Sequence, residues 1–192
     1  MLHSSKTKPI PTQRTQPFAT KPKEETPMKT TEPIRNKHQV RQFISHYYQT
    51  GQIRNYVLAA LCVHTALRIS DILSLTCNQI YDFKIHRPRR SITITEKKTG
   101  KTKTIALHKN IITALNHYYN QATPGTHLII NPQTGKAITR VQAYRILRAA
   151  AEAIGLGQRV SCHSLRKTFG YHAWKEGISP AVIMEIYNHS SP

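Results

Sequence analysis

Apolar residues enter this chain abruptly. Up to about residue 32, Pro9, Pro11, Pro17, Pro22 and Pro27 recur among Lys, Thr and Gln, and large apolar side chains are scarce. Such a segment cannot bury enough surface to offset its ordering entropy, so residues 1–32 read as a basic, Pro/Thr-rich disordered tail. From Pro33 onward the pattern changes. Val40, Phe43, Ile44, Tyr47 and Tyr48 fall at three- and four-residue steps within 34–49, which predicts an amphipathic helix stopped by Gly51. Residues 54–67 are dense in Ala and Leu and predict a largely buried helix. Ser70 reads as the N-cap of a short helix carrying Ile72, Leu73 and Leu75.

The period then switches to two. Residues 91–95 alternate as a strand does, Lys97-Lys98-Thr99-Gly100 forms a turn, and 103–107 return as a second strand. Further helices are predicted over 110–121, 139–154, 164–176 and 180–187, with a short strand at 128–130. The fold class is therefore mainly α with a small antiparallel β-hairpin, an α+β domain over residues 33–192. No internal repeat is present.

Composition narrows the partner. The formal charge is +19 over 192 residues, and the pI is about 10.2. Such a chain is drawn to a polyanion: nucleic acid, or an anionic membrane surface. A ribosome-associated or merely adhesive basic protein has the same charge. The longest apolar run, 56–67, is too short to span a bilayer and is followed by Arg68. There is no apolar N-terminal segment of the secretory kind. Cys62, Cys77 and Cys162 lie far apart, which argues against a disulfide framework and against a zinc site. A reduced intracellular protein with nucleic acid as partner is the simplest reading.

Four clusters carry chemistry, and each has a plain alternative. Arg68 follows one apolar helix and precedes another, so its guanidinium needs an acidic or phosphate partner. Asp71, three residues on, is a candidate to hold it; a structural Arg–Asp pair is the plain reading. Lys97, Lys98 and Lys101 crowd the hairpin turn, either as a solvated loop or as a finger presenting an ammonium to a phosphate. His163 and Arg166 stand one turn apart near a helix start, where backbone N–H groups favour an anion. His189 ends the last helix, where a C-cap is the commoner role.

Taken together and in this order, these clusters resemble the catalytic domain of the tyrosine recombinases, the phage-integrase family. The resemblance rests on Ala66-Leu-Arg-Ile-Ser-Asp-Ile-Leu73, Lys98-Thr-Gly-Lys101, the run from His163 to His172, and Asn188-His-Ser-Ser-Pro192. It implies that Arg68 and Arg166 bind non-bridging oxygens of a scissile phosphate, with Lys98 as general acid and Lys97 as the alternative. His163 and His189 would bond the phosphate or manage the nucleophile's proton, and Asp71 would support the site, for instance by orienting Arg68. Lys97, Lys101, Lys103, Arg140 and Lys167 are the expected DNA-contacting cations. No cofactor, metal or nucleotide is implied, because a covalent phosphotyrosine conserves the bond energy. The expected partner is double-stranded DNA, with a second copy or a full-length recombinase beside it and no membrane. The expected setting is the bacterial cytoplasm, at the nucleoid.

Two departures matter. The family places its tyrosine two to three helical turns beyond the last histidine, and only Ser190, Ser191 and Pro192 follow His189 here. Tyr187 matches an apolar position of the family pattern and lies too close to His189; Tyr171 lies within the helix of Arg166 and points elsewhere. The expectation is a catalytic domain incomplete at its C-terminus, a fragment or decayed mobile-element gene, inactive as written unless a neighbour supplies the tyrosine. Residues 1–32 are also too short and too polar to form the core-binding domain of larger members. The alternative is a non-catalytic DNA-binding fragment that occupies recombination sites or modulates a full-length partner. A topoisomerase-like nicking activity requires the same missing tyrosine.

Overall fold

The computed structural model describes residues 31–156 and 160–188. Eight helices and two small hairpins follow one another among these residues. They are α1 (Lys37–Gln49), α2 (Ile53–His64), α3 (Ile69–Ile72), α4 (Cys77–Ile80), β1 (Tyr81–Asp82) and β2 (Arg87–Pro88). Then come β3 (Ser91–Thr95), β4 (Thr102–Ala106), α5 (Lys109–Tyr118) with a 3-10 turn (Tyr119–Gln121), α6 (Arg140–Ala153), α7 (Cys162–Lys175) and α8 (Pro180–Tyr187). The mainly helical α+β architecture is the one the periodicity predicts.

The centre of the domain is α2. It is apolar on every side, and such a helix must be covered on every side. Val57, Leu58, Ala59, Ala60 and Leu61 are fully buried, with α1, α5 and α7 packed round them. The covering helices show one apolar stripe each. In α6 that stripe is Ala143, Leu147, Ala150 and Ala151, and a capping box of Thr139 and Gln142 fixes where the helix begins.

Both hairpins are antiparallel, and β3 pairs β4 in register Ser91↔Ala106 through Thr95↔Thr102. Alternation decides which side chains enter the molecule. Ile92 and Ile94 are buried on β3, and Glu96 continues the same face just past the strand end. On β4 the inward positions are Lys103 and Ile105.

The structure revises several local expectations. Residues 128–130 form no strand: Leu128 and Ile129 are buried, but the pairing is limited to single bridges, Thr76↔His127 and Ile130↔Ala137. The short helix begins at Ile69 with Arg68 in the N-cap position, not with Ser70 as cap. The buried helix ends at His64, and Ala66 adopts a left-handed φ of 54° that swings the chain before Arg68. The helix expected from Ser164 begins at Cys162, because the Ser161 hydroxyl accepts from Ser164 N and caps it. The β1–β2 hairpin was not predicted, since two-residue strands leave no periodicity to read. Residues 1–30, the bulk of the expected tail, and His189 to Pro192 lie outside the described residues.

The candidate phosphate site

Two arginines delivered by different elements lie within electrostatic reach of each other and of Glu96. The left-handed turn at Ala66 brings Arg68 to the mouth of α3. Its Nη1 lies 2.5 Å from Glu96 Oε2. The Glu96 carboxylate is wholly buried, at 0% exposure, and also takes Lys103 Nζ at 2.7 Å on Oε1. Thr99 Oγ1 donates to Oε2 from within the turn at 3.0 Å. Burial alone would raise this carboxyl; Lys103, Arg68 and Thr99 outweigh it and hold it at about 2.

Arg166 comes from α7 and is 6% exposed. Its Nη2 donates to the carbonyl of Tyr187 at 3.0 Å. Its Nη1 is buried with no hydrogen-bond acceptor among the described residues. Burial, and then the charge of Arg68, push the guanidinium below the usual arginine range; Tyr187, Glu96 and Asp71 oppose that shift. A buried cation with an idle donor beside a second cation is costly unless an anion completes the site.

Asp71 does not hold Arg68 through a hydrogen bond as expected. Its Oδ1 accepts from the backbone N–H of Lys97 at 3.1 Å, so it pins the base of the lysine turn instead. The physical reason lies at Glu96, which the alternation of β3 aims at Arg68 first. Lys103, expected among the DNA-contacting cations, turns inward with Ile105; its side chain is 17% exposed and its Nζ also donates to Ile186 O at 2.9 Å. Lys97, Lys98 and Lys101 stand exposed round the turn, with Lys98 at its tip. His163 is exposed in the first turn of α7, one helical turn before Arg166. Arg140 and Lys167 are exposed, and Lys167 Nζ donates to Thr31 O at 2.9 Å. The structure thus brings together Arg68, Arg166 and Asp71 round Glu96, while His189 lies outside the described residues.

Glu96 and the inward role of Lys103 escaped the sequence reading. The available signal was the period of two: Glu96 shares a face with Ile92 and Ile94, and an acid at an inward position demands cations. Among the described residues no group of three or more His, Cys, Asp or Glu is arranged to hold a metal. No described helix is long and apolar enough to cross a membrane.

The low pKa of Glu96 has a pH signature. Its folded value lies below the ordinary 4.5, so its contribution is present above about pH 4.5 and is lost as pH falls towards 2. Urea midpoints measured from about pH 6 to about pH 2.5 are expected to drop across that window. Glu96→Gln is expected to flatten that part of the profile; an unchanged slope in the variant would assign the loss to other groups.

The mainly helical fold, with its small antiparallel hairpins, is the fold of tyrosine recombinase catalytic domains. Residues 35–192 match the Phage integrase family, and the chain belongs to that family. The chain is 36% identical over 165 residues to the "Probable integrase/recombinase YoeC" of Bacillus subtilis (strain 168), covering 86% of this chain and 87% of that one. The crystal structure of XerA recombinase superimposes with a TM-score of 0.70 at 17% identity, over 84% of this chain and 57% of XerA. The XerH site-specific recombinase bound to its difH substrate gives 0.66 at 19% identity, over 83% of this chain and 48% of XerH. The chain therefore spans most of YoeC and about half of the two solved recombinases.

Proposed function

We propose that this chain is a site-specific recombinase catalytic domain that binds duplex DNA and grips one backbone phosphate for strand exchange through a 3′-phosphotyrosine. The observation that carries this reading is the buried, unaccepted Nη1 of Arg166 beside Arg68. Two planar guanidinium forks within electrostatic reach of each other suit a phosphodiester, whose charge grows in the transition state. Lys98 protonates the departing 5′ oxygen, with Lys97 as the alternative donor. His163 and His189 bond the phosphate or relay the nucleophile's proton, and Asp71 steadies the turn that carries Lys98. Lys97, Lys101, Arg140 and Lys167 meet the flanking DNA backbone. Lys103 reaches the phosphate only by leaving Glu96. The protein acts in the bacterial cytoplasm on the nucleoid, with a second copy or a longer recombinase beside it.

The second reading is DNA occupancy without cleavage. It is favoured by the state of Tyr187, the described tyrosine nearest the site. Its hydroxyl donates to Arg166 O, and burial raises its phenol above the ordinary value. Within the 192 residues no tyrosine follows His189. Incubated with a nicked suicide substrate, this polypeptide is expected to bind without forming a covalent DNA adduct. An adduct would overturn the inactivity of the isolated chain, and a mixture in which a full-length recombinase supplies its tyrosine tests assembly in trans.

A further inference from the structure

Tyr187 touches Arg166 in three separate ways. Its hydroxyl donates to the Arg166 carbonyl at 2.5 Å. Its ring lies 4.6 Å from the guanidinium carbon in a cation–π arrangement. Its own carbonyl accepts from Arg166 Nη2 at 3.0 Å. One residue of α8 thus holds the backbone, the face and one edge of an arginine on α7. The free edge, Nη1, is left without an acceptor among the described residues.

A second residue is shaped to this contact. Gly170 lies one turn after Arg166, and a Cβ built there would stand 2.5 Å from Tyr187 Oη and 3.0 Å from its Cε2. Gly170 is helical and shows no left-handed φ. Backbone freedom therefore does not explain a glycine in mid-helix, where it is disfavoured by about 1 kcal/mol relative to alanine. Room for the tyrosine ring does.

We propose that Tyr187 is a positioning residue for Arg166: seated in the notch at Gly170, it fixes the guanidinium and leaves the buried Nη1 as the nitrogen that a phosphate would engage. The inference rests on Arg166 being a phosphate ligand. The carbonyl of Tyr187 takes one nitrogen and the ring covers one face, while Nη1 is buried without an acceptor among the described residues. A guanidinium so constrained loses less rotamer freedom when the phosphate arrives. An aliphatic side chain at this position would have neither the hydroxyl nor the π face.

The test uses the full 192-residue chain, a short duplex DNA as probe, and four variants: Tyr187→Phe, Tyr187→Leu, Gly170→Ala and Arg166→Ala. Tyr187→Leu and Gly170→Ala are expected to weaken binding about tenfold, the effect of misplacing one charged hydrogen bond, and to lower the salt slope by about one contact. Tyr187→Phe keeps the ring and is expected to stay within about threefold of wild type. In the Arg166→Ala background, Tyr187→Leu is expected to add nothing further. The Arg166 side-chain N–H resonance, identified by its loss in Arg166→Ala, provides a readout independent of DNA. The ring should shift it in wild type and in Tyr187→Phe, and the shift should vanish in Tyr187→Leu and Gly170→Ala.

Wild-type resonance and salt slope in Tyr187→Leu and Gly170→Ala would overturn the proposal. An equal loss from Tyr187→Leu with and without Arg166 would do the same. If Arg166→Ala leaves DNA binding intact, the phosphate reading fails, and the resonance still judges the clamp.

Discussion

Glu96→Ala is expected to destabilise the domain by about 3 kcal/mol, the lower end of the range for breaking a buried ion pair by removing one partner. The carboxylate is 0% exposed and bridges Arg68 and Lys103, while Arg166 lies within electrostatic reach. Without it these cations face one another with no anion between them. Were Glu96 a surface partner, the cost would be only about 0–1 kcal/mol, and its full burial decides against that figure. Arg68 and Lys103 keep 21% and 17% exposure, so water relieves part of the repulsion and the lower end applies. For a domain of this size the melting temperature should fall by about 10 °C, measurable by thermal unfolding. Duplex DNA should restore more stability to the variant than to wild type, because an external phosphate replaces the missing internal charge. A loss below about 1 kcal/mol would place the Glu96 contacts outside the energetics of the fold.

Arg166→Ala should behave in the opposite way, with little effect on folding and a large one on DNA. The guanidinium is depressed by burial and by Arg68, and one of its nitrogens has no acceptor, so the folded state gains little from it. Stability should change by no more than about 2 kcal/mol, the sum of lost packing and relieved repulsion. Affinity for duplex DNA should fall by about ten- to a hundredfold, with a salt slope shallower by about one. Arg166→Lys should not restore it, since an ammonium cannot both bond the Tyr187 carbonyl and present a second planar donor. If Arg166→Ala unfolds the chain, the arginine is structural.

The two predictions separate what Glu96 and Arg166 do in the same space. Glu96 balances charge when DNA is absent. Arg166, clamped by Tyr187, keeps a buried nitrogen with no acceptor among the described residues, and there we place the proposed phosphate. On the proposed function, a phosphate would compete with Glu96 for Arg68 and meet an idle donor on Arg166.

Much of this was legible from the chain alone, and what was not has identifiable causes. Helix positions followed from apolar spacing, because α2 and α6 carry patterns long enough to read. Arg68 and Arg166 were legible only as two separate candidates near helix ends; a shared role for them came from the family resemblance. The strand expected at 128–130 failed because burial of Leu128 and Ile129 was read as pairing. The expected Asp71–Arg68 bond is absent because nearness in sequence does not fix contact: Asp71 Oδ1 accepts from Lys97 N instead. The true partner, Glu96, is 28 residues from Arg68 and reaches it only when the β3–β4 hairpin folds back. The three contacts of Tyr187 depend on the angle between α7 and α8, which no local pattern encodes. His189 and the residues after it lie outside the described structure, so their roles stay with the family resemblance.

The central claim is that this basic domain closes on a DNA phosphate through Arg68 and Arg166. Equilibrium binding of the 192-residue chain to a short fluorescent duplex, followed from low to high salt, tests it most directly. Tight binding is expected at low salt, with a linear fall of log K with log salt and a slope shallower by about two when both arginines are alanine. No binding at the lowest salt, or an unchanged slope in the folded double variant, would contradict it.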